Sequence, residues 1–239
     1  MLILGLTKTT LLDYPEHVAA TIFTGGCNFR CPFCHNKDIV FAQESLAAQQ
    51  VTPYTEEEIL AFLKKRAGIL TGVCITGGEP TLQKDLPDFL ARIKELGLLV
   101  KLDTNGYQPD VLRLLLNKRL IDYCAMDIKN SPEKYAVTTG LSSCNMSLIR
   151  ESVSCLLSMT GYFPYEFRTT LVRELHSKDD MYVISEWLKG AHAYYLQSYT
   201  DSDHVITRGF HAHSDQTLKD FRDICLENIP NTTLRGVDL

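Results

Sequence analysis

Short apolar segments alternate along this chain with amphipathic helical patterns, and this alternation limits the possible folds more than any other feature. Each apolar segment is short and continuous, as expected of a strand that is buried on both faces of a sheet. Strands that alternate with helices pair in parallel and are joined by right-handed crossovers. The sequence therefore predicts an α/β fold with a parallel sheet. The predicted strands are residues 18–23, 72–76, 98–103, 123–128, 165–171 and 193–197.

The number of strand–helix units limits the possible architectures. Six units are too few for a closed barrel of eight, so an open partial barrel and a doubly wound sheet both fit at this point. No low-complexity linker interrupts the pattern. We therefore predict a single domain over residues 1–239, with its core at about 16–200 and a C-terminal helix and possible strand within 201–239.

The ends of several predicted helices carry recognisable signals. Thr55 with Glu58 forms a capping box ahead of an apolar stripe. Asp85 is expected to cap the next helix with its side chain, and Gly97 to end it. Asn145 precedes the apolar residues of a later helix.

The charge balance and the first residues restrict partners and location. Lys and Arg total 24 against 29 for Asp and Glu, which gives a formal net charge of −5. Nucleic-acid binding draws on clustered positive charge, so this balance argues against a nucleic-acid partner. The N-terminal residues lack a secretion signal, and no uncharged run approaches the roughly 18 residues of a membrane-spanning helix. We expect no membrane association and a cytoplasmic location.

Polar or glycine-rich sequence lies at or near the carboxyl end of every predicted strand. In both architectures these ends meet at one edge of the sheet, where ligands bind. The pattern therefore predicts one site at that edge. Its residues are Gly25 and Gly26 after the first strand, the sequences TGGEPTL, DTNG and MDIKN at the next three, Arg168 within the fifth, and Gln197 at the end of the sixth.

Three cysteines, Cys27, Cys31 and Cys34, lie within eight positions, and no fourth follows nearby. Thiolates hold iron–sulfur clusters, and a four-iron cluster normally takes four of them. Three thiolates would leave one iron without a protein ligand, and an open position is typical of a catalytic metal. Zinc is the alternative, but it needs a distant fourth ligand, because His35 directly follows Cys34.

The motif CNFRCPFCHN, followed by GGEPTL, resembles the radical S-adenosylmethionine (SAM) superfamily. Its Cys-His-Asn ending is similar to that of the glycyl-radical-enzyme activases. The opening GLTKTTLLDYPEHVAATIFTGGCNFRCPFCHN is closer still to the activating proteins of anaerobic ribonucleoside-triphosphate reductase. The resemblance runs from about Gly5 to the end of the chain. It implies a partial (β/α)6 TIM-like barrel of parallel strands.

The resemblance also implies two cofactors, one 4Fe–4S cluster and SAM. Cys27, Cys31 and Cys34 would be the cluster ligands, and catalysis would depend on them. SAM would chelate the open iron, and an electron from the reduced cluster would split it into methionine and a 5′-deoxyadenosyl radical. The cofactors supply this chemistry, while the protein binds and orients them.

Residues beside the last cysteine and after the second strand are implied as SAM contacts. Phe33 and His35 flank Cys34, where the family's backbone approaches the adenine. Gly77, Gly78 and Glu79 match the family's GGE stretch, and the glycines there let the backbone approach an amino acid group. Without the cysteine motif, the same stretch would indicate an ordinary tight turn.

The DTNG and DIK sequences supply four more implied contacts. Asp127 and Lys129 are two positions apart, so both side chains lie on one face of a strand, where they could contact SAM or form a salt bridge. Asp103 and Asn105 could contact SAM, or form a turn in which a side chain binds its own backbone. Asp103 together with Asp127 could also hold a cation.

The last two implied contacts lie on the fifth and sixth strands. Arg168 stands within an apolar strand and needs a partner there. A carboxylate or ribose hydroxyl of SAM is one candidate, and Asp127 or Glu166 is the other. Gln197 occupies a position where several activases carry a histidine, so its contact with adenine or ribose is the weaker expectation.

The expected function is generation of a glycyl radical on a partner enzyme, with anaerobic ribonucleoside-triphosphate reductase as the expected partner. Glycine lacks Cβ, so its backbone can thread into a narrow site. A low-potential electron donor such as flavodoxin or ferredoxin is also implied. The alternatives are a small-molecule radical SAM enzyme, such as a 7-carboxy-7-deazaguanine synthase, and a zinc-stabilised binding module without catalysis.

Overall fold

The strands form one sheet in chain order. The computed structural model describes residues 1–49 and 51–237. Within these ranges there is an eight-stranded sheet in which each strand neighbours the next along the chain. The strands are β1 (Ile3–Thr10), β2 (Ala19–Thr24), β3 (Gly72–Gly77), β4 (Leu99–Thr104), β5 (Tyr123–Asp127), β6 (Tyr165–Leu171), β7 (Tyr194–Ser198) and β8 (Thr232–Arg235).

Parallel pairing dominates the sheet. β3 pairs in parallel with β2 and β4, and β7 pairs in parallel with β6 and β8. The predicted α/β fold with parallel strands is confirmed. β1 adds an antiparallel edge against β2. The sequence pattern does not predict β1, because the second half of ILGLTKTT is polar and partly exposed and so gives no continuous apolar run.

Helices separate most of the strands. No helix in the described part of the chain is long and apolar enough to span a membrane. Single 3₁₀ turns lie at Pro80–Leu82 and Pro132–Lys134. The helices are α1 (Lys37–Val40), α2 (Ala42–Ala47), α3 (Glu56–Lys65), α4 (Leu86–Glu95), α5 (Pro109–Asn117), α6 (Tyr135–Thr139), α7 (Met146–Leu157), α8 (Lys178–Trp187) and α9 (Asp215–Leu226).

The chain divides into two compact units, each with its own buried side chains. In the first unit, α4 buries Phe89 and Ile93; in the second, α8 buries Met181 and Ile184. Each such side chain stabilises its unit by roughly 1.5–3 kcal/mol through removal of apolar surface from water. The single domain over residues 1–239 stays a prediction. The first unit is Met1–Asn28, Asn36–Thr104 and Gln108–Cys124, and the second is Phe29–His35, Asn105–Tyr107 and Ala125–Leu239.

The helix ends confirm one of the two predicted caps. Thr55 and Glu58 form the reciprocal capping box of α3, and the Asn145 side chain accepts from a backbone amide at the start of α7. The prediction for Asp85 is wrong. Asp85 is the residue before α4, but its side chain makes no capping hydrogen bond. Its carboxylate lies 3.4 Å from the Met1 amine instead. A proline in the first turn leaves fewer amides there that need an acceptor.

Candidate active site

The first unit contains the start of the cysteine loop, directly after β2. The Gly26 amide donates to the Ile39 carbonyl at 2.8 Å, and Gly26 has a φ of +88°. A left-handed residue favours glycine, because a side chain there strains the backbone. Cys27 follows at once and is half-buried. The turn therefore fixes the direction in which the chain leaves β2 just before the first cysteine.

The loop after β3 lies against the loop after β2 through main-chain contacts. The Gly78 amide donates to the Thr24 carbonyl and the Glu79 amide to the Gly26 carbonyl, each at 2.8 Å. A Cβ placed on Gly78 would lie 1.9 Å from the Gly26 oxygen, and one on Gly77 would lie 2.4 Å from the Thr24 nitrogen. These two glycines are therefore required for the backbones to approach.

Gly78→Ala is expected to destabilise the protein by about 3 kcal/mol, because the backbone oxygen in its way cannot move aside like a flexible side chain. Gly97→Ala is the matched control. Gly97 has a φ of +77° but open space around it, so only the backbone strain of about 1 kcal/mol is expected. Urea unfolding of both variants measures the difference, and equal losses would contradict a steric requirement at Gly78.

Glu79 makes hydrogen bonds within the first unit through its side chain as well as its amide. The side chain is fully buried, and its Oε1 accepts from the Thr81 amide at 3.1 Å, the Thr81 hydroxyl at 2.5 Å and the Thr104 hydroxyl at 2.7 Å. A buried carboxylate needs such donors. The Glu79 carboxylate thus connects the loop after β3 to the end of β4.

Asp103 at the end of β4 pairs with the ammonium of Lys101. Lys101 is only 2 % exposed, and its Nζ also lies 3.8 Å from the sulfur of Cys74. A buried ammonium is costly unless a carboxylate neutralises it. Sequence analysis missed Lys101, which lies inside an apolar strand segment; its charge there was the available signal.

In the second unit, Asn105 and Gln197 occupy different surroundings. The Oδ1 of Asn105 accepts from the Tyr107 amide at 3.0 Å, which is the local turn that the sequence allowed as an alternative. Gln197 is half-buried on β7 and lies in register with Thr170 of β6 and Arg235 of β8.

The second part of the cysteine loop is fixed within the second unit by main-chain bonds. The Cys34 amide donates to the Cys31 carbonyl at 3.0 Å and closes a turn. The Ile206 amide donates to the Cys34 carbonyl at 3.1 Å, and the Thr207 amide to the Pro32 carbonyl at 2.8 Å. The segment after β7 therefore holds the stretch that carries the last two cysteines.

Aromatic packing adds to this attachment. The His35 ring stacks on Tyr199, with planes 8° apart and centroids 5.7 Å apart. The Nε2 of His35 lies 2.6 Å from the Thr200 carbonyl, while Phe33 is buried. His35 and Phe33 thus anchor the loop on both sides of Cys34 in this structure.

The other end of this stretch contacts α6. The Arg30 amide donates to the Thr139 carbonyl at 2.8 Å. A Cβ on Gly140, which has a φ of +70°, would lie 2.2 Å from the Arg30 oxygen. A glycine is therefore required for this contact.

Three charged residues come together beside the end of β5: Asp127 is its last residue, Lys129 lies just beyond it, and Arg168 is in the middle of β6. Asp127 Oδ1 accepts from Arg168 Nε at 2.9 Å, and its Oδ2 accepts from Lys129 Nζ at 3.0 Å. Glu166 binds Arg235 instead, through two bonds of 3.1 Å. Of the two candidate protein partners of Arg168, the structure therefore places Asp127 beside it. Asp103 and Asp127 each contact a protein ammonium or guanidinium, so the expected cation is not needed to neutralise either carboxylate.

The charges around Lys129 are strongly coupled. Burial alone would raise the pKa of Asp127, but Arg168 and Lys129 outweigh it and hold that pKa below its ordinary value. Burial likewise opposes the charged form of Lys129, yet Asp127 and the Cys31 and Cys34 thiols raise the pKa of Lys129. The charge of Lys129 is therefore electrostatically coupled to two of the three cysteines.

The three cysteines of the loop have the donor chemistry of an iron–sulfur cluster. In residues 1–49 and 51–237, no group of three or more His, Cys, Asp or Glu side chains is arranged to hold one metal ion. A four-iron cluster makes a different demand, because each thiolate binds its own iron. Three thiols in one short loop, two of them coupled to the charge of Lys129, are the donors that such a negatively charged cluster requires.

Comparisons with known proteins identify the family of the chain. The model of the Radical SAM superfamily matches residues 21–149. A Methanocaldococcus jannaschii protein named as a glycyl-radical enzyme activating enzyme, MJ1227, is 33% identical over 207 residues, which are 84% of this chain and 81% of that protein. The pyruvate formate-lyase-activating enzyme of Streptococcus mutans is 30% identical over 176 residues, covering 70% of this chain and 65% of that protein.

A third relative and one solved structure extend the comparison. The 7-carboxy-7-deazaguanine synthase of Thermococcus kodakarensis is 33% identical over 123 residues, covering 46% of this chain and 48% of that protein. A radical SAM methyltransferase from Sphaerobacter thermophilus has a TM-score of 0.70 at 17% identity, covering 95% of this chain and 68% of that chain. This structural similarity supports the fold alone.

Proposed function

This chain belongs to the radical SAM superfamily, and on that premise we propose that it is an activating enzyme that generates a glycyl radical on a partner enzyme. Membership of the radical SAM superfamily implies a 4Fe–4S cluster and SAM as cofactors, and it makes the chain an enzyme. The zinc-stabilised, non-catalytic alternative is therefore set aside. The observation that carries the proposal is the similarity to a named activating enzyme over 84% of this chain.

The proposed cluster ligands are Cys27, Cys31 and Cys34. When bound, cluster and SAM together supply reductive cleavage of SAM to a 5′-deoxyadenosyl radical. The protein's part is to orient the cofactors and to exclude competing hydrogen donors. Lys129 supports this assignment, because its charge is coupled to those of Cys31 and Cys34 and an ammonium can offset cluster charge.

The proposed SAM contacts divide into main-chain and side-chain groups. Glu79 and Asp103 belong to the proposed set together with Gly77 and Gly78, and their side chains contact Thr104 and Lys101 respectively. The Asp127, Lys129 and Arg168 charges are suited to the polar groups of SAM. Phe33, His35, Asn105 and Gln197 complete the proposed set.

The proposed partner is a glycyl radical enzyme, and the opening sequence motif favours anaerobic ribonucleoside-triphosphate reductase. A flavodoxin or ferredoxin is the proposed electron donor. The S. mutans relative acts on pyruvate formate-lyase by its name, so that enzyme is the second candidate partner. A cytoplasmic location remains a prediction.

The test is anaerobic incubation of the dithionite-reduced protein with SAM and each candidate partner. A glycyl doublet in the electron paramagnetic resonance spectrum of the reductase is expected, and it should be absent when the radical-bearing glycine of the partner is replaced by alanine. Efficient SAM cleavage without a doublet on either partner would contradict the activase proposal and leave the superfamily assignment intact.

A small-molecule radical SAM activity is the second candidate function. Its support is the deazaguanine synthase of T. kodakarensis, which matches 46% of this chain. Turnover of that enzyme's precursor by this protein, with no doublet on either partner, would favour it.

A further inference from the structure

A buried histidine outside the proposed contact set reaches the site from the segment between β6 and α8. His176 is 2% exposed. Its Nε2 lies 2.8 Å from the carbonyl oxygen of Lys129, and its Nδ1 lies 3.0 Å from the amide nitrogen of Val172. One imidazole thus bridges the chain beyond β5 and the chain at the end of β6.

The two contacts define one neutral tautomer. The Val172 amide can only donate, so Nδ1 accepts and carries no proton. The proton is then on Nε2, which donates to the Lys129 carbonyl. Burial, assisted slightly by His213, lowers the pKa of His176 to about 4, although the carbonyl oxygens of Lys129 and Val172, the latter 3.3 Å from Nδ1, and the charge of Asp180 oppose the change. The ring is therefore neutral at physiological pH.

Lys129 is held from several directions at once. Its carbonyl accepts from His176, and its amide lies 3.3 Å from the hydroxyl of Tyr135. Its ammonium donates to Asp127. Lys129 lies beyond the last residue of β5, so these side chains replace the strand pairing that fixes the residues before it.

We propose that His176 is a positioning residue for SAM binding: it holds the main chain of Lys129 so that the Asp127, Lys129 and Arg168 charges are presented together. This inference rests on the proposed function, because it takes these three residues as SAM contacts. His176 itself touches neither cofactor in this proposal.

The test compares variants of the anaerobically reconstituted protein by equilibrium SAM binding and iron content. His176→Phe keeps a buried ring but removes both hydrogen bonds, and we expect SAM affinity to fall about tenfold or more at unchanged iron content. His176→Gln offers a donor and an acceptor, so it should recover most of the lost affinity.

Tyr165→Phe is the matched control. Tyr165 is a fully buried aromatic residue of the same unit, and its hydroxyl bonds Thr160 and the His192 amide, away from Lys129. We expect it to leave SAM affinity unchanged. An equal loss of affinity in Tyr165→Phe and His176→Phe would overturn the proposal, as would wild-type affinity in folded His176→Phe.

Two further measurements keep the test decisive. Lys129→Met should also weaken SAM binding. An unchanged affinity in this variant would overturn the proposal, because His176 is proposed to act through Lys129. If His176→Phe does not fold, His176→Leu takes its place: faster hydrogen exchange around Lys129 in His176→Leu than in wild type and His176→Gln supports the proposal, and equal exchange in all three overturns it. Because no partner enzyme is present, failure of glycyl radical formation would leave these results unaffected.

Discussion

Serine in place of Cys31 is expected to reduce bound iron to less than about a tenth of the wild-type amount and SAM cleavage to background. A thiolate is the donor that iron–sulfur clusters require, and the serine hydroxyl is a poor substitute. The same loss is expected for Cys27→Ser and Cys34→Ser. Iron and sulfide analysis after anaerobic reconstitution, with assay of 5′-deoxyadenosine release, measures both effects.

Cys144→Ser is the control for these substitutions. Cys144 is half-buried in the second unit, and burial raises the pKa of its thiol, which disfavours the thiolate that binds metal. We expect wild-type iron content and activity from this variant. Full iron content in any one of the three loop variants would remove that cysteine from the ligand set.

Asp127→Asn is expected to lower both stability and SAM affinity. It leaves Lys129 and Arg168 as neighbouring cations without their shared carboxylate. The Asp127 side chain is 30% exposed, that of Lys129 19% and that of Arg168 14%. The free energy of unfolding should therefore fall by about 1–3 kcal/mol, which lies between the values typical of exposed and of buried salt bridges. Urea unfolding at pH 7 measures the loss, and equilibrium binding should show SAM affinity reduced by about tenfold.

The pH dependence of the stability difference between wild type and Asp127→Asn follows from the lowered pKa of Asp127. A carboxyl whose folded pKa lies below its unfolded value of about 3.9 contributes stability above that pH, and the contribution disappears as the pH falls through the folded value. The difference in stability between wild type and Asp127→Asn should therefore be constant from pH 6 to 8 and shrink in acid.

A double mutant identifies the cause of the loss. Arg168→Met added to Asp127→Asn removes one of the two repelling cations, so the combined loss should be smaller than the sum of the single losses. Asp110→Asn is the exposed control, since its partner Arg113 lies on the same helix and Asp110 is 90% exposed; a change within about 0.5 kcal/mol is expected. Simple additivity of Asp127→Asn and Arg168→Met would contradict the proposed coupling.

Local sequence patterns were sufficient to predict the parallel strands and the capping box of α3. Buried strands give continuous apolar runs, and a capping box depends on residues three apart, so both can be read without a structure. β1 gives no such run, because it is an edge strand with a polar second half. Asp85 carries the right residue type for a cap, but the Met1 amine, distant in sequence, lies beside its carboxylate.

The sequence predicts the candidate site as a set of strand ends, whereas the contacts between its side chains come from the structure. The sequence left the partner of Arg168 open because it depends on Asp127, which is 41 positions away. His176 lies 47 positions from Lys129 and has no motif around it. The Glu79 contact with Thr104 likewise joins the loop after β3 to the end of β4, and nothing in the sequence indicates that these two segments contact each other. Such pairings follow from tertiary packing, which no local pattern encodes.

The open iron is the central claim, and the most direct test is the spectrum of the reduced cluster during a SAM titration. Anaerobic protein with about four irons and four sulfides per chain should give a reduced-cluster resonance that shifts as SAM binds and saturates at one SAM per cluster. SAM labelled at its amino nitrogen should show magnetic coupling to the cluster. A four-iron cluster whose resonance is unchanged by saturating SAM would contradict the account.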